Sequence, residues 1–334
     1  MEKTALITGV TGQDGSYLAE LLLGKGYAVH GLVRRSSVGN TGRIGHLIHA
    51  EHPARRLLVH PIEFSDSLAL TRLLQEIRPD EVYNLAAQSD VRVSFDSPLH
   101  TVEVTGLGAL RVLEAVRVSG VPARVYQASS SEMFGSAPPP QDERTRFRPR
   151  SPYGCAKVLA YHSVVNYREA YGMFVANGIL FNHESPRRGH GFVTRKITLA
   201  AARIRAGLQK TLYLGNLGAV RDWGYAPDYV DAMWRMLQRD EPDDYIVATG
   251  HASTVRDFLG IAFAHAGLDW REHVRHEPLL ERPAEVPALI GDATKARQLL
   301  GWAPSVRLPE LARLMTEADV RLLDTRVTEH GAPM

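Results

Sequence analysis

Tyr153 and Lys157 stand four residues apart in "SPYGCAKVLAY". On a helix that spacing sets both side chains on one face. A nearby ammonium stabilises a phenolate and draws a tyrosine pKa down. A phenolate so tuned can take the proton of a substrate hydroxyl while hydride leaves the same carbon. Tyr-x-x-x-Lys also arises by chance as a solvated surface pair. Upstream, "YQASSSEMFG" ends an apolar run in the hydroxyls of Ser129, Ser130 and Ser131 and the carboxylate of Glu132. If the run is a strand of an open α/β sheet, these groups stand at its C-terminal edge, where such sheets bind ligands. The serines equally suit a turn or a helix cap.

The elements that would position these groups emerge from periodicity. Strand-length apolar runs occupy Ala5–Thr8, Ala28–Val33, Leu57–Pro61, Glu81–Ala86, Arg124–Ala128 and Val175–Leu180. Helical patterns lie between them at Ser16–Lys25, Leu68–Ile77, Thr101–Ser119 and Ala156–Tyr171. The alternation predicts an α/β fold, a Rossmann-type doubly wound parallel sheet with right-handed crossovers. After Asn182 the pattern loosens into "HESPRRGHG" and "LGNLGAVRDWGYAPD". "GDATKARQLL" before "GW" reads as a short helix with a glycine stop. Residues 1–182 and about 220–254 are expected to form the nucleotide domain. About 183–219 and 255–325 are expected to form a smaller mixed α/β substrate domain, with 326–334 as a flexible polar tail.

In "LITGVTGQDGSYLAELL", Gly9, Gly12 and Gly15 lie between a strand and a helix. Glycines let backbone approach a pyrophosphate, and the helix N-terminus offers free N–H groups and a positive dipole. The spacing is G-x-x-G-x-x-G rather than G-x-G-x-x-G, and a plain tight turn would also use it. The second strand ends in "GLVRRSS", with no acid between Val29 and Asn40 to bond an NAD ribose. Arg34 and Arg35 can instead fork onto a 2′-phosphate, so NADP is expected over NAD. Two solvated arginines or a subunit contact would leave the same trace.

Composition narrows the classes. The chain has 334 residues, 44% of them hydrophobic, and a formal charge of +2, enough for a sizeable core and without a basic excess. No uninterrupted apolar run of about 18 residues predicts a membrane span. The single cysteine, Cys155, cannot form an internal disulfide, and no secretory signal is recognisable, so a cytoplasmic location is expected. His46, His49 and His52 could share a helix face, but no metal site is expected. "HPARR" and "PRRG" lack an aromatic ladder, so nucleic acid is not an expected partner.

Together these residues resemble the extended short-chain dehydrogenase/reductase superfamily. The ordered set "ALITGVTGQDGSYLAELLL", "PDEVYNLAAQS", "YQASSSEMFG", "RSPYGCAK", "NGILFNHESPRRG", "FVTRKI", "RDWGYAPDYVDAMW" and "IGDATKA" is similar to the GDP-mannose 4,6-dehydratases over nearly the whole chain. The resemblance implies an internal redox cycle with NADP. The sugar is oxidised at C4, water is lost across C5 and C6, and the hydride returns to C6. It makes Tyr153 the base at C4, with Lys157 tuning it and holding the nicotinamide ribose. Glu132 takes the C5 proton and helps protonate the departing C6 hydroxyl. Ser130, where many members have threonine, meets the O4 region. The implied cofactor set is Gly9, Val10, Thr11, Gly12, Gln13, Asp14, Gly15, Arg34, Arg35, Glu63, Phe64, Leu85, Ala86, Ala87, Gln88, Ser89, His100, Lys157, His183 and Arg188. For the GDP-sugar it is Asn182, Val193, Lys196, Arg221, Arg282 and Glu285, with Ser89 and Asp90 beside the sugar.

Four positions depart from the family pattern: Glu63 for aspartate, His100 for tyrosine, Cys155 for alanine and Asp90 for histidine. Asp90 matters most. Its charge can change which GDP-sugar fits, a heptose for instance, or can simply pair with Arg92. A 4-epimerase or reductase of the superfamily needs no base at C5, and a non-catalytic NADP sensor needs none of Tyr153, Lys157 and Glu132. The resemblance further implies a homodimer or homotetramer, with "RRSSVGNTGRI" as the tetramer contact.

Overall fold

The computed structural model describes residues 2–34, 40–49 and 56–330, of which 325–330 by backbone only. Seven strands form one sheet: β1 (Thr4–Thr8), β2 (Ala28–Arg34), β3 (Leu58–Ile62), β4 (Glu81–Asn84), β5 (Arg124–Ser130), β6 (Val175–Leu180) and β7 (Asp244–Val247). All pair in parallel, in the order β7-β6-β5-β4-β1-β2-β3. Strand order therefore reverses between β1 and β4, which opens a crevice at their C-terminal ends.

Alternate side chains go to opposite faces of a strand. Ala5 and Ile7 of β1 pack with Leu18, Leu22, Tyr126 and Met233 on one face, while Leu6 joins Val82, Leu74 and Val116 on the other. The first layer is covered by α1 (Gln13–Gly24) and, later in the chain, the helix Ala226–Met236. The second is covered by α2 (Ser67–Ile77), α3 (Gly108–Ser119) and α4 (Pro152–Tyr171). Two predicted helices differ in their beginnings. The run expected from Thr101 opens as a π-helical turn, Val102–Leu107, before α3. The helix expected from Ala156 starts at Pro152, because Ser151 caps it by accepting the Gly154 N–H at 3.0 Å.

A second apolar core lies under α5 (Val193–Arg205), α6 (Val255–His265) and α7 (Leu308–His330), with Ile197, Trp223, Phe258, Phe263, Leu311 and Met315 at its centre. α7 continues to His330, into the segment expected as a flexible tail. Short strands link this core to the sheet. Asn182–Glu184 pairs with Trp223–Tyr225. Val220–Arg221 pairs with both Ser253–Thr254 and Ala288–Leu289. Among the described residues no helix is long and apolar enough to cross a membrane.

α5 and α7 are tied by a buried ion pair, Arg195 to Asp319 at 2.6 Å, and Thr198 Oγ1 donates to Asp319 Oδ2 at 2.7 Å. Removing one partner strands the other charge in the core. Asp319→Ala should lower the unfolding free energy by about 3–5 kcal/mol. Denaturant titration checks this, and a loss near zero would mean that Arg195 finds another anion.

Candidate active site

The crevice is pinned by a hydroxyl. Thr8 Oγ1, at the end of β1, donates to Asn84 Oδ1 at 2.6 Å and accepts the N–H groups of Leu85 and Ala86, each at 3.1 Å. That fixes the chain leaving β4 beside the glycine turn. Gly9 has φ +68°, and a Cβ there would stand 3.0 Å from Ala86 N. A Cβ on Gly15 would meet Gly9 O at 2.4 Å, so the helix can approach the turn only without a side chain. Gly12 caps α1 with no side-chain hydrogen bond, which leaves first-turn N–H groups for an anion. These residues fit the diphosphate of a dinucleotide.

Other members of the expected cofactor set have different positions. Val10 is buried in the core. Thr11 O accepts from Arg43 at 3.3 Å. Gln88 is held by Thr105 Oγ1 on its N–H at 3.1 Å, and its amide donates to Thr101 Oγ1 at 3.2 Å. Ala87 and Phe64 are half-buried, the Phe64 ring lying beside Gly108, while Arg34, Glu63, Ser89 and His100 are exposed. Arg35, His52 and most of the "RRSSVGN" segment lie outside the described residues.

Asp14 and Gln13 turn inward to His183. The His183 Nε2 stands 2.8 Å from Asp14 Oδ2, and its Nδ1 lies 2.8 Å from Phe181 O. Two acceptors around one ring require both nitrogens to donate, which is the imidazolium. Asp14 accordingly raises the His183 pKa against the opposing effect of burial, and His183 lowers that of Asp14. Gln13 Nε2 donates to both Asp14 Oδ1 and His183 O, and its Oε1 accepts from Ser185 Oγ at 2.7 Å. Arg188 pairs with Glu184 at 3.0 Å and covers the Phe192 ring.

Ser130, Glu132, Tyr153 and Lys157 converge from β5 and α4, all buried. Ser130 also caps the turn Ser131–Met133, its Oγ accepting the Glu132 N–H at 3.2 Å. Ser129 Oγ donates to Asn177 Oδ1 instead. Lys157 Nζ donates to Ala128 O at 2.7 Å and lies 5.7 Å from the tyrosine ring centre. Burial pushes the phenol up to about 12, opposed by the Ser130 hydroxyl and reinforced by the Glu132 charge. Burial pushes the Lys157 ammonium down to about 8.

Arg282 reaches Glu132 Oε1 at 3.2 Å, and Arg221 reaches Glu285 Oε1 at 3.2 Å. Asn182 Oδ1 is buried without a hydrogen-bond partner. Val193 and Lys196 sit exposed at the start of α5. Asp90 does not pair with the Arg92 guanidinium, which lies 3.4 Å from Asp96. Its carboxylate caps the helix Val91–Asp96 by accepting the Arg92 and Val93 N–H groups. Sequence reasoning did not single out Thr8, Asn84, Thr105 or Arg43 as supports of the site. Polar residues ending apolar strands were a usable signal for the first two.

The sequence model of the family described as GDP-mannose 4,6 dehydratase matches residues 6–315. GDP-mannose 4,6 dehydratase 2 of Arabidopsis thaliana is 57% identical over 326 residues, covering 96% of this chain and 87% of that one. The Homo sapiens GDP-mannose 4,6 dehydratase is 51% identical over 343 residues, covering 96% and 92%. Among solved structures, the Thermus thermophilus UDP-glucose 4-epimerase in complex with NAD superposes with a TM-score of 0.80 at 28% identity, over 95% of this chain and 98% of that one.

The Asp14–His183 pair makes stability pH-dependent in a defined window. His183, raised, contributes fully below its ordinary 6.5 and loses this as pH climbs through its folded value. Asp14, lowered, contributes above its ordinary 3.8 and loses this as pH falls through its folded value. The pair therefore contributes most between those limits. In Asp14→Asn the His183 ring should titrate below 6.5 by NMR, since burial then acts without its anion, whereas in the parent it titrates above. A midpoint that Asp14→Asn leaves in place would contradict the ion pair.

Proposed function

From the premise that this chain belongs to the GDP-mannose 4,6-dehydratase family, we propose how its residues divide the work. The reaction converts GDP-mannose to GDP-4-keto-6-deoxy-mannose and water, and the NAD held by the similar epimerase supports a nicotinamide dinucleotide as cofactor. We assign NADP, on the two arginines after Val33 and the missing acid. When bound, NADP would supply a hydride acceptor for C4 and a hydride donor for C6. Gly9, Gly12 and Gly15, with Leu85 to Ser89, would hold it.

The observation that carries the reading is one buried cluster of Ser130, Glu132, Tyr153 and Lys157 at the edge of the switch-point crevice. Tyr153 takes the O4 proton, with Ser130 donating to O4. A phenol at about 12 keeps its own proton at neutral pH, so it must release that proton before it can accept another. Lys157, at about 8, exchanges protons near neutral pH and stands on the same helix face. Glu132 takes the C5 proton once C4 is a ketone. The C6–O bond breaks as the C5=C6 bond forms, and that proton leaves with the hydroxyl as water. C5 later regains a proton drawn from solvent. Arg221, Arg282 and Lys196 meet the diphosphate, and Asp90 and Ser89 approach the sugar. A related GDP-sugar such as a heptose would use the same residues.

Glu132→Gln should cut dehydration by roughly 10²–10⁴-fold, the usual contribution of a placed general base. C4 oxidation should persist as transient reduced-nicotinamide absorbance, while Tyr153→Phe abolishes both signals. In D₂O the parent should place deuterium at C5 and keep the C4 hydrogen at C6. Near-normal dehydration by Glu132→Gln would move the base elsewhere.

Cofactor choice has a separate test. Replacing Arg34 and Arg35 by alanine should shrink the preference for NADP over NAD by roughly ten- to a hundredfold, equivalent to about 1.5–3 kcal/mol. Equal affinity of the parent for NAD and NADP would overturn the assignment.

A further inference from the structure

The Glu132 carboxylate is used unevenly. Oε1 accepts from Arg282 Nη1 at 3.2 Å, across 150 residues of sequence. Oε2 is buried and has no hydrogen-bond partner. Buried carboxylate oxygens are normally paired, and leaving one unpaired is costly. The pattern suits a base with one oxygen anchored and the other kept free for a proton.

The anchor is itself anchored. Arg282 Nη1 lies 4.0 Å from Glu285 Oε1, and the same oxygen lies 3.2 Å from Arg221 Nη2. Arg221 is rigidly seated: its Nη1 donates to Val220 O and Val286 O, each at 2.9 Å. Glu132, Arg282, Glu285 and Arg221 thus form a chain of alternating charge. It runs from the C-terminal end of β5 to the strand Val220–Arg221 of the smaller sheet.

We propose that Arg282 is a positioning residue for the dehydration step: it holds Oε1 of Glu132 so that Oε2 faces C5 as the proton acceptor. The inference rests on Glu132 being the C5 base. It gives Arg282 a duty distinct from binding the diphosphate, because a pure phosphate ligand would serve both chemical steps alike. Through Arg282, the lobe that grips the nucleotide aims the base on the other lobe.

The test compares the two steps in single turnovers of cofactor-loaded enzyme with saturating GDP-mannose. Reduced-nicotinamide absorbance reports C4 oxidation, and product formation with C5 deuteration in D₂O reports dehydration. In Arg282→Gln the ratio of dehydration rate to oxidation rate should fall roughly ten- to a hundredfold, the scale of a misaimed catalytic group. Reduced cofactor should then accumulate, and Arg282→Lys should restore part of the ratio. Two results overturn the proposal: a raised KM with the ratio unchanged, or an equal loss in both steps. Glu132→Gln in parallel keeps the readings apart. If that variant stalls after oxidation while Arg282→Gln does not, the base assignment stands and the positioning role falls. If Glu132→Gln dehydrates normally, the base assignment itself has failed.

Discussion

Two adjacent parallel strands whose onward connections run in opposite directions cannot keep their C-terminal ends covered. In this protein those strands are β1 and β4, and Thr8 closes the gap between them with a single hydroxyl. It gives its proton to Asn84 and accepts two backbone N–H groups just beyond β4. The glycine turn then packs against that backbone, which is why Gly9 has no room for a Cβ. Every other part of the site is measured from this junction. β5 pairs with β4 and ends in Ser130, just before Glu132, and α4, packed on β5 and β6, carries Tyr153 and Lys157.

The π-helical turn at Val102–Leu107 connects the same junction to α4. Thr101 and Thr105 hold Gln88 on one side, and Gly106 lies so close to α4 that a Cβ would stand 2.9 Å from Leu159. A π turn inserts one residue into a helix and rotates the residues beyond it. Here it allows one segment to hold the loop after β4 through Gln88 and to abut α4. Periodicity of apolar residues does not register such an insertion. A single continuous helix from Thr101 therefore matches the segment in extent and misses its geometry.

The central sheet was legible because buried parallel strands are nearly continuous apolar runs, as in "ALIT" and "VANGIL". The Tyr153/Lys157 face was legible because helix spacing is local. What Lys157 does was not. Its direction is set by Ala128 O on a different element, and the effect of burial on Tyr153 depends on packing that spacing does not encode. The same holds for Asp14, which the family resemblance places in a phosphate turn and which the fold turns inward to a histidine on a distant strand.

Apart from Lys157, whose ammonium has only the Ala128 carbonyl, the buried and half-buried charges named in this site come in compensated sets. Asp14 faces His183, Glu184 faces Arg188, and Glu132, Arg282, Glu285 and Arg221 alternate. Desolvation makes an isolated buried charge untenable, so each of these cations that could meet a phosphate is held by a carboxylate in the protein itself. On the proposed assignment, an incoming diphosphate would compete with Glu285 and Glu132 for the same guanidinium groups. Such competition would reduce its binding energy. If Arg221 and Arg282 meet the nucleotide and Glu132 is the C5 base, as proposed, recognition and that base belong to one chain of ion pairs.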